Sequence, residues 1–560
     1  MSGMHTVRSL TGVCVFFYLF ACRTAYPLAE SADPNGINVK VLHQMGYTGK
    51  GVRVGVLSQM HCRTTHEAFF DKDLQGNPIG NSHVYWYDPT SDTVQPYEPY
   101  WHDTSLAGII ASRGGKEFPQ HRGMAPDAEI YSAKVTRRVS ETDPNRTTNF
   151  QWFQKSLDYF RSSQCRIVVT GIQLGADYDQ LFPFTLLYDY YTYTHGIFFA
   201  NAAGNDNGSV TIFGTAFNGV TTAGLITTEP DVYRRIGSAS NPGPTLDGRR
   251  KPEVAAPAQN LMVPTDGSDT AWGSEGTERG QTSWAAPHTA GAAAVLLEYA
   301  DTTPEPDDGR SVVLKAVLVN SAFPNIQDKT GLETTGQLWH PHRGYGRLDA
   351  ARAFSILSSP KITIGQEISQ PRGWAFQSLS PGQTHIYTLT SIPIGSRLVL
   401  TLTWNRRVRW QDKPPRNNLI DNGELTGYLA NLELLIEDSA GRTVFSDTGT
   451  LDNLKKADLL IPQTGLYRIR IRNQSSTETA EYAVAYEILE PLTADLNLDA
   501  VVDKADLEIL LQSWLQNPCG IPFDGCSRLD LLADDFIDLG DLKILAGFWK
   551  TSDPRYYVLP

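Results

Sequence analysis

A serine sits where a helix terminus can make it a nucleophile. Gln281-Thr282-Ser283-Trp284-Ala285-Ala286-Pro287-His288-Thr289-Ala290-Gly291 leads into the apolar run Ala292–Ala300. That run predicts a long buried helix with Ser283 in its first turn. The first N–H groups of a helix lack intrahelical partners and carry the positive end of its dipole. Such a place suits an attacking oxygen and the oxyanion that its attack creates.

The segment closely resembles the nucleophile motif of the subtilisin-like serine peptidases, Gly-Thr-Ser-(Met/Ala)-Ala-(Ala/Ser/Thr)-Pro-His-(Val/Ile)-Ala-Gly. It departs at Gln281, Trp284 and Thr289. Two more elements follow in the family's order. Tyr100-Trp101-His102-Asp103-Thr104-Ser105-Leu106-Ala107-Gly108 resembles His-Gly-Thr-His-Val-Ala-Gly, which implies that His102 is the general base. Phe199-Ala200-Asn201-Ala202-Ala203-Gly204-Asn205 resembles the Ala-Ala-Gly-Asn segment, which implies that Asn205 donates to the oxyanion. Lys251–Pro257 and Gly344–Ala350 resemble the strand-loop before the serine and the end of the catalytic domain. Three elements in order form a specific match.

The fourth element differs. The family's orienting Asp ends the first strand, in Val-Ala-Val-(Ile/Leu)-Asp-(Thr/Ser)-Gly. Here Val52-Arg53-Val54-Gly55-Val56-Leu57 is followed by Ser58, Gln59 and Met60. Ser58 therefore occupies the triad Asp position. The carboxylate normally holds the imidazole tautomer and stabilises the imidazolium. Two readings stay open: the Ser58 hydroxyl orients His102, or a displaced acid among Asp103, Glu67, Asp71 and Asp73 does so.

The remaining sequence sets the architecture. The chain has 560 residues, is 41% hydrophobic and 19% charged, and carries a formal net charge of −13. Such a balance gives ample core and disfavours nucleic acid or an anionic membrane as the main partner. His5 and Arg8 precede the apolar run Leu10–Ala21, an export-signal pattern too short to span a membrane. We assign residues 1–22 to a signal peptide. Leu19-Phe20-Ala21-Cys22 also resembles a lipobox, with Phe20 unusual there, so lipid anchoring at Cys22 is the alternative to simple secretion. Only Arg23–Gly36 then precedes the first domain, too little for the pro-domain that family members usually carry. Cys519 and Cys526 flank a Gly/Pro loop and can pair in an oxidising compartment. Cys62 and Cys165 are left as free or bonded.

Residues 37–359 alternate strand and helix. Val52–Leu57, Glu129–Val135, Arg166–Ile172, Ile197–Ala202 and Val220–Ile226 read as strands, and Thr104–Ser112, Phe150–Arg161 and Gln180–Tyr193 as helices. The fold class is a multidomain chain whose first part is an α/β domain with a parallel sheet covered by helices. Gln173-Leu174-Gly175 lies where the family has a Ser-Leu-Gly segment that pairs with extended peptide. From 360 to 490 alternating runs such as Arg397–Trp404, Leu432–Glu437 and Tyr482–Tyr486 predict a β-sandwich, with a stabilising or a surface-binding role.

Residues 491–553 form a third unit. Asp495, Asn497, Asp499, Asp503 and Asp506 place oxygens at positions 1, 3, 5, 9 and 12 of a calcium-type loop, with the Val501 carbonyl at 7. A second copy offers Asp530, Asp534, Phe536 (carbonyl), Asp538 and Asp541, with Leu532 replacing a polar ligand. Each loop precedes an apolar helix, Leu507–Leu515 or Leu542–Trp549. The duplication resembles a type I dockerin, which implies Ca2+ as cofactor and a cohesin-like protein as partner. For the whole chain two classes stay open: a secreted serine endopeptidase acting on polypeptides, or a pseudopeptidase that binds peptides or serves as a scaffold.

Overall fold

The computed structural model describes residues 27–91, 99–138, 146–172 and 183–491, apart from 207, 230–231, 278, 335, 415–419 and 421–422. Beyond these it describes 494–497, 502–512, 514, 529–531 and 537–549.

Eight strands build the central sheet: β1 (Arg53–Ser58), β2 (Val84–Tyr87), β3 (Glu129–Lys134), β4 (Ile167–Thr170), β5 (Phe198–Ala202), β6 (Val220–Glu229), β7 (Val232–Ile236) and β8 (Val254–Pro257). Their order is β7-β6-β5-β4-β1-β3-β2, with β8 also on β6. Every pairing is parallel except β6 with β7. The covering helices are α1 (Trp101–Ala111), α2 (Phe150–Ser162), α3 (Pro183–His195), α4 (Thr282–Ala300), α5 (Ser311–Asn320) and α6 (Ala350–Leu357).

Strand pleating sorts side chains between the two faces. Val54 and Val56 of β1 join the core cluster containing Leu106 of α1 and Ala290 of α4. Leu57 joins the opposite cluster, with Phe153 of α2 and Tyr188 of α3. By this alternation Ser58 lies on the α1 face. The chain builds β1, β2 and β3 to one side and then crosses to β4 on the other. The order therefore reverses beside β1, and the crevice at that switch point opens at the carboxyl ends of the strands.

From Glu367 to Leu489 the chain forms two larger sheets and a two-stranded one, Arg407–Trp410 with Leu425–Tyr428. Of the larger sheets, one holds Arg372–Leu379, Ala480–Leu489, Arg397–Trp404 and Leu454–Leu460, and the other holds Glu367–Ile368, Thr384–Ile392, Gly465–Asn473, Leu432–Glu437 and Thr443–Asp447. Leu398, Leu400, Leu402, Tyr482 and Val484 of the first meet Tyr387, Leu434 and Ile469 of the second in one core. The first sheet is buried on its other face too. Trp374, Leu454, Ala483 and Ala485 belong to the same cluster as α4 and α5. Thr401 Oγ1 donates to Asn320 Oδ1 at 3.0 Å, and Lys456 Nζ to Val319 O at 2.7 Å. Ion pairs close the seam: Arg406 with Asp189 at 2.5 Å, Arg250 with Asp452 at 2.7 Å and Arg352 with Glu487 at 2.6 Å.

Two helices, α7 (Lys504–Gln512) and α8 (Leu539–Gly547), form a small C-terminal unit around Ala494, Val502, Leu510, Ile537 and Leu545. Among the described residues no helix is long and apolar enough to cross a membrane.

Candidate active site

Three elements deliver the predicted side chains to the carboxyl edge of the sheet. His102 and Asp103 lie in the first turn of α1, Asn205 follows β5, and Ser283 opens α4. Helices α1 and α4 pack on each other. The residues beside Ser283 bind it to both partners. Thr282 N–H donates to Asn205 Oδ1 at 2.7 Å, and Thr282 Oγ1 donates to the same oxygen at 3.1 Å. That leaves the amide NH2 as the end of Asn205 that can donate to an oxyanion. On the other side, the Trp284 ring lies 5.0 Å from the His102 ring, and Trp101 lies 5.5 Å from it in an edge arrangement. Ser283 is 5% exposed and His102 9%. Among the described residues no hydrogen bond joins Ser283 to His102. Catalytic contacts often tighten only when substrate is bound.

Gly204 sets the approach of Asn205. Its φ is +112°, and a Cβ there would lie 2.4 Å from both Asn241 Nδ2 and Thr211 Cγ2. Only glycine fits such a place without strain.

Ser58 is fully buried at the end of β1. Its hydroxyl pairs with Ser132 Oγ on β3 at 2.7 Å and reaches Val56 O at 3.4 Å, not His102. The acid beside the imidazole is Asp103. Its Oδ1 stands 3.7 Å from His102 Nδ1, and its side chain is fully buried. Its carboxylate accepts from Gln59 N–H at 3.2 Å and Met60 N–H at 2.7 Å, the two residues that follow Ser58. His102 Nδ1 is itself buried and without a hydrogen-bond partner. The other sequence candidates are engaged elsewhere. Glu67 takes Trp272 Nε1–H and Lys116 N–H, Asp71 pairs with Arg113 and His83, and Asp73 closes a turn through Gln75 and Asn77. Glu275, not singled out from sequence, also feels His102: burial raises its carboxyl pKa while the His102 charge pulls it down.

A subtilase family model matches residues 49–347. The chain belongs to the subtilase family. Serine protease AprX of Bacillus subtilis is 28% identical over 279 residues, covering 46% of this chain and 60% of that protein. Subtilisin E of Bacillus subtilis is 26% identical over 276 residues, covering 49% and 63%. The human membrane-bound transcription factor site-1 protease is 26% identical over 418 residues, covering 70% of this chain and 35% of that protein. The chain thus spans less than two thirds of the length of these curated relatives. Within this subtilase, Gln173, Leu174 and Gly175 lie outside the described residues. Cys62 and Cys165 are free and buried, and burial pushes both thiols up, so neither is a poised nucleophile.

In the C-terminal unit Asp499, Val501, Asp534 and Phe536 lie outside the described residues. Asp495 is 2% exposed and Asp506 fully buried; Asp530 is 9% exposed and Asp541 fully buried. Asp506 closes the first loop, its Oδ1 accepting from Leu496 and Asn497 N–H and its Oδ2 from Asp503 N–H. Asp541 accepts from Asp538 N–H in the second, where Asp538 caps α8 in a reciprocal box. A buried carboxylate needs compensation, and at Asp506 and Asp541 backbone N–H groups supply it.

Proposed function

We propose that this subtilase is a serine endopeptidase in which Asp103 replaces the family's strand-end Asp. The observation that carries the reading is the placement of Ser283 between Thr282, bonded to Asn205, and Trp284, packed on His102. With Nδ1 turned towards Asp103, Nε2 is the nitrogen left for Ser283. Ser283 Oγ attacks the peptide carbonyl and passes its proton to His102. Asn205 Nδ2 and the Ser283 N–H hold the oxyanion. Collapse expels the amine, which takes the proton from His102, and water then cleaves the acyl-enzyme by the same route. The buried Asp103 carboxylate stabilises the imidazolium.

The reading extends to location and modules. The N-terminal signal sends the chain out of the cytoplasm, as a secreted protein or a lipoprotein held at Cys22. Asp495, Asn497, Asp499, Val501, Asp503 and Asp506 would hold one calcium ion, and Asp530, Asp534, Phe536, Asp538 and Asp541 a second. Bound calcium would neutralise the carboxylates, and the folded unit would dock a cohesin-like protein. The sheets between 360 and 490 act structurally, since one of them completes the peptidase core.

The second reading is a pseudopeptidase that binds peptides. It is favoured by the Ser58–Ser132 bond, which leaves the usual acid position without charge or contact to His102. A fluorophosphonate probe separates the two. Covalent labelling of one serine, lost in Ser283→Ala, together with casein hydrolysis, supports the peptidase. A folded protein that neither labels nor cleaves leaves the binding reading.

A further inference from the structure

Far along the chain from the catalytic residues, two imidazoles and a carboxylate converge. Asp328, His340 and His342 each offer one ligand atom, and these atoms all lie within 4.8 Å of one another. Asp328 begins a tight turn. Its Oδ1 accepts from Thr330 N–H at 2.7 Å, Thr330 Oγ1 at 2.7 Å and Leu332 N–H at 3.1 Å. That leaves Oδ2 as the outward oxygen, 4.0 Å from His342 Nδ1.

The histidines come from a hairpin, His340-Pro341-His342, closed by His340 N–H to Gly344 O at 3.0 Å and Gly344 N–H to His340 O at 2.9 Å. The hairpin is fastened at several points. Pro341 O accepts from Gly243 N–H at 2.9 Å, and Trp339 Nε1 donates to Pro252 O at 3.0 Å. Arg343, fully buried, donates to Thr334 Oγ1 and to Gly344 O. The Asp328 turn is anchored separately, through Ile236 N–H to Gln327 O at 3.0 Å at the edge of β7. Two segments, joined by Arg343 to Thr334 and by Lys329 N–H to His342 Nδ1, thus present ligands to one point. The His342 and Asp328 side chains are 23% and 13% exposed, recessed yet open to solvent.

We propose that Asp328, His340 and His342 bind one divalent transition ion of the zinc class, which staples the 328 turn to the 340–342 hairpin. Two nitrogens and one carboxylate oxygen suit zinc, with water as the fourth ligand, and do not suit calcium. His340 Nδ1 accepts from the His342 N–H at 3.2 Å and His342 Nδ1 from the Lys329 N–H at 3.5 Å, bonds that an ion at either nitrogen would displace. Lys329 and Arg343 are cations that oppose the ion, and the Asp328 carboxylate offsets them. The Asp328 hydrogen bonds from the Thr330 and Leu332 backbone are the supports that orient a ligating carboxylate.

The test uses the full chain, stripped with a chelator and held in excess Ca2+ so that the C-terminal loops are served. Titration with Zn2+ should show one equivalent bound at micromolar concentration or tighter, with a rise in melting temperature. His342→Ala and Asp328→Asn should each weaken that equivalent at least tenfold. Titration of the unmutated chain with Co2+ should give the intense visible absorption of a four-coordinate nitrogen-containing site, a readout independent of how any variant folds. Absence of a zinc equivalent, binding unchanged in His342→Ala, or only the weak absorption of six-coordinate Co2+ would each overturn the assignment.

Discussion

Asp103 Oδ1 lies 3.7 Å from His102 Nδ1, on the next residue of the same helix turn. In the family pattern the acid reaches the imidazole from the end of the first strand. Here that strand ends in Ser58, which bonds to Ser132, and the two residues after it cap the Asp103 carboxylate with their N–H groups. A fully buried carboxylate needs such compensation, since burying an unpaired charge is costly. Position in the first turn of α1 adds the favourable end of the helix dipole. The charge is kept beside the base while its point of attachment moves from strand to helix.

Removing that charge should therefore slow the chemistry. Asp103→Asn is expected to lower kcat by about 10^4, as in triads that lose their acid, with KM nearly unchanged. Lost pairing to Gln59 or Met60 should cost about 1–3 kcal/mol of stability as well. Ser58→Asp should bring no gain, because a second buried carboxylate competes with the first for one imidazole. Steady-state kinetics with melting curves check this. A Ser58→Asp enzyme faster than the unmutated one would reject Asp103 as the acting acid.

Much of this layout is legible in the residue order, and the gaps have physical causes. Helix α4 and strands β1, β4 and β5 announce themselves as apolar runs of the right length. Strand β2 does not: Val84-Tyr85-Trp86-Tyr87 is β-prone but only four residues long, and its Tyr85 and Trp86 are 42% exposed. The Arg397–Trp404 run reads as one sheet face, yet every residue in it is buried because the catalytic domain covers the other face. Motif spacing names His102, Asn205 and Ser283. It cannot choose Asp103 over Glu67, Asp71 or Asp73, since only tertiary contacts show that those three are already engaged. Ser132, 74 residues from Ser58, carries no local signal at all.

The oxyanion donor gives a second expectation. Asn205→Ala should cut kcat by about 10^2–10^3 with little change in KM, because the donor acts on charge present only in the transition state. Gly204→Ala should reach a similar end by another route. The added Cβ meets Asn241 and Thr211, so Asn205 must move, and a displacement of about 1 Å can cost roughly 10^2-fold. Full activity in Gly204→Ala would mean that Asn205 is not positioned by this turn.

The seam between the two halves makes a stability prediction. Asp189 is fully buried, and Arg406 from the following sheets is 3% exposed by side chain. Arg406→Ala leaves that carboxylate with the Phe217 and Asn218 N–H groups but without the Arg406 cation, and should cost about 3 kcal/mol, read as a shift in denaturant midpoint. Replacing both together, Arg406→Met with Asp189→Leu, should cost much less. Equal losses in the single and double variants would show that the pair is not coupled.

Calcium should act locally. Chelation of the full chain should open α7 and α8 to protease while residues 37–490 stay resistant. The first loop should bind more tightly than the second, where Leu532 replaces an oxygen ligand. Calorimetric titration would show two unequal sites. Proteolysis of α7 and α8 that ignores chelator would remove the calcium assignment.

Acid should loosen the protein through His288, in the middle of α4. The ring is fully buried; Nδ1 donates to Trp284 O at 2.8 Å, and Nε2 lies 3.0 Å from Ser31 Oγ, whose hydroxyl donates to Leu28 O at 2.8 Å. Burial lowers its pKa from 6.5 to about 4, against the raising effect of the Trp284 carbonyl. The native state therefore disfavours the proton that the unfolded chain accepts. Above pH 6.5 both states are neutral and the stability is intact. Between pH 6.5 and about 4 the unfolded chain takes up a proton that the folded one refuses, so stability falls as pH falls. The loss from this one group is roughly 3 kcal/mol by the end of that window. His288→Gln, which cannot take up the proton, should give a flatter dependence of melting temperature on pH across this range. Because Ser31 belongs to the helix Pro27–Ala32, amide protection factors there, taken relative to the intrinsic exchange rate at each pH, should fall in the same window in the unmutated protein only. Parallel pH slopes for the two proteins would show that His288 does not set the acid limit.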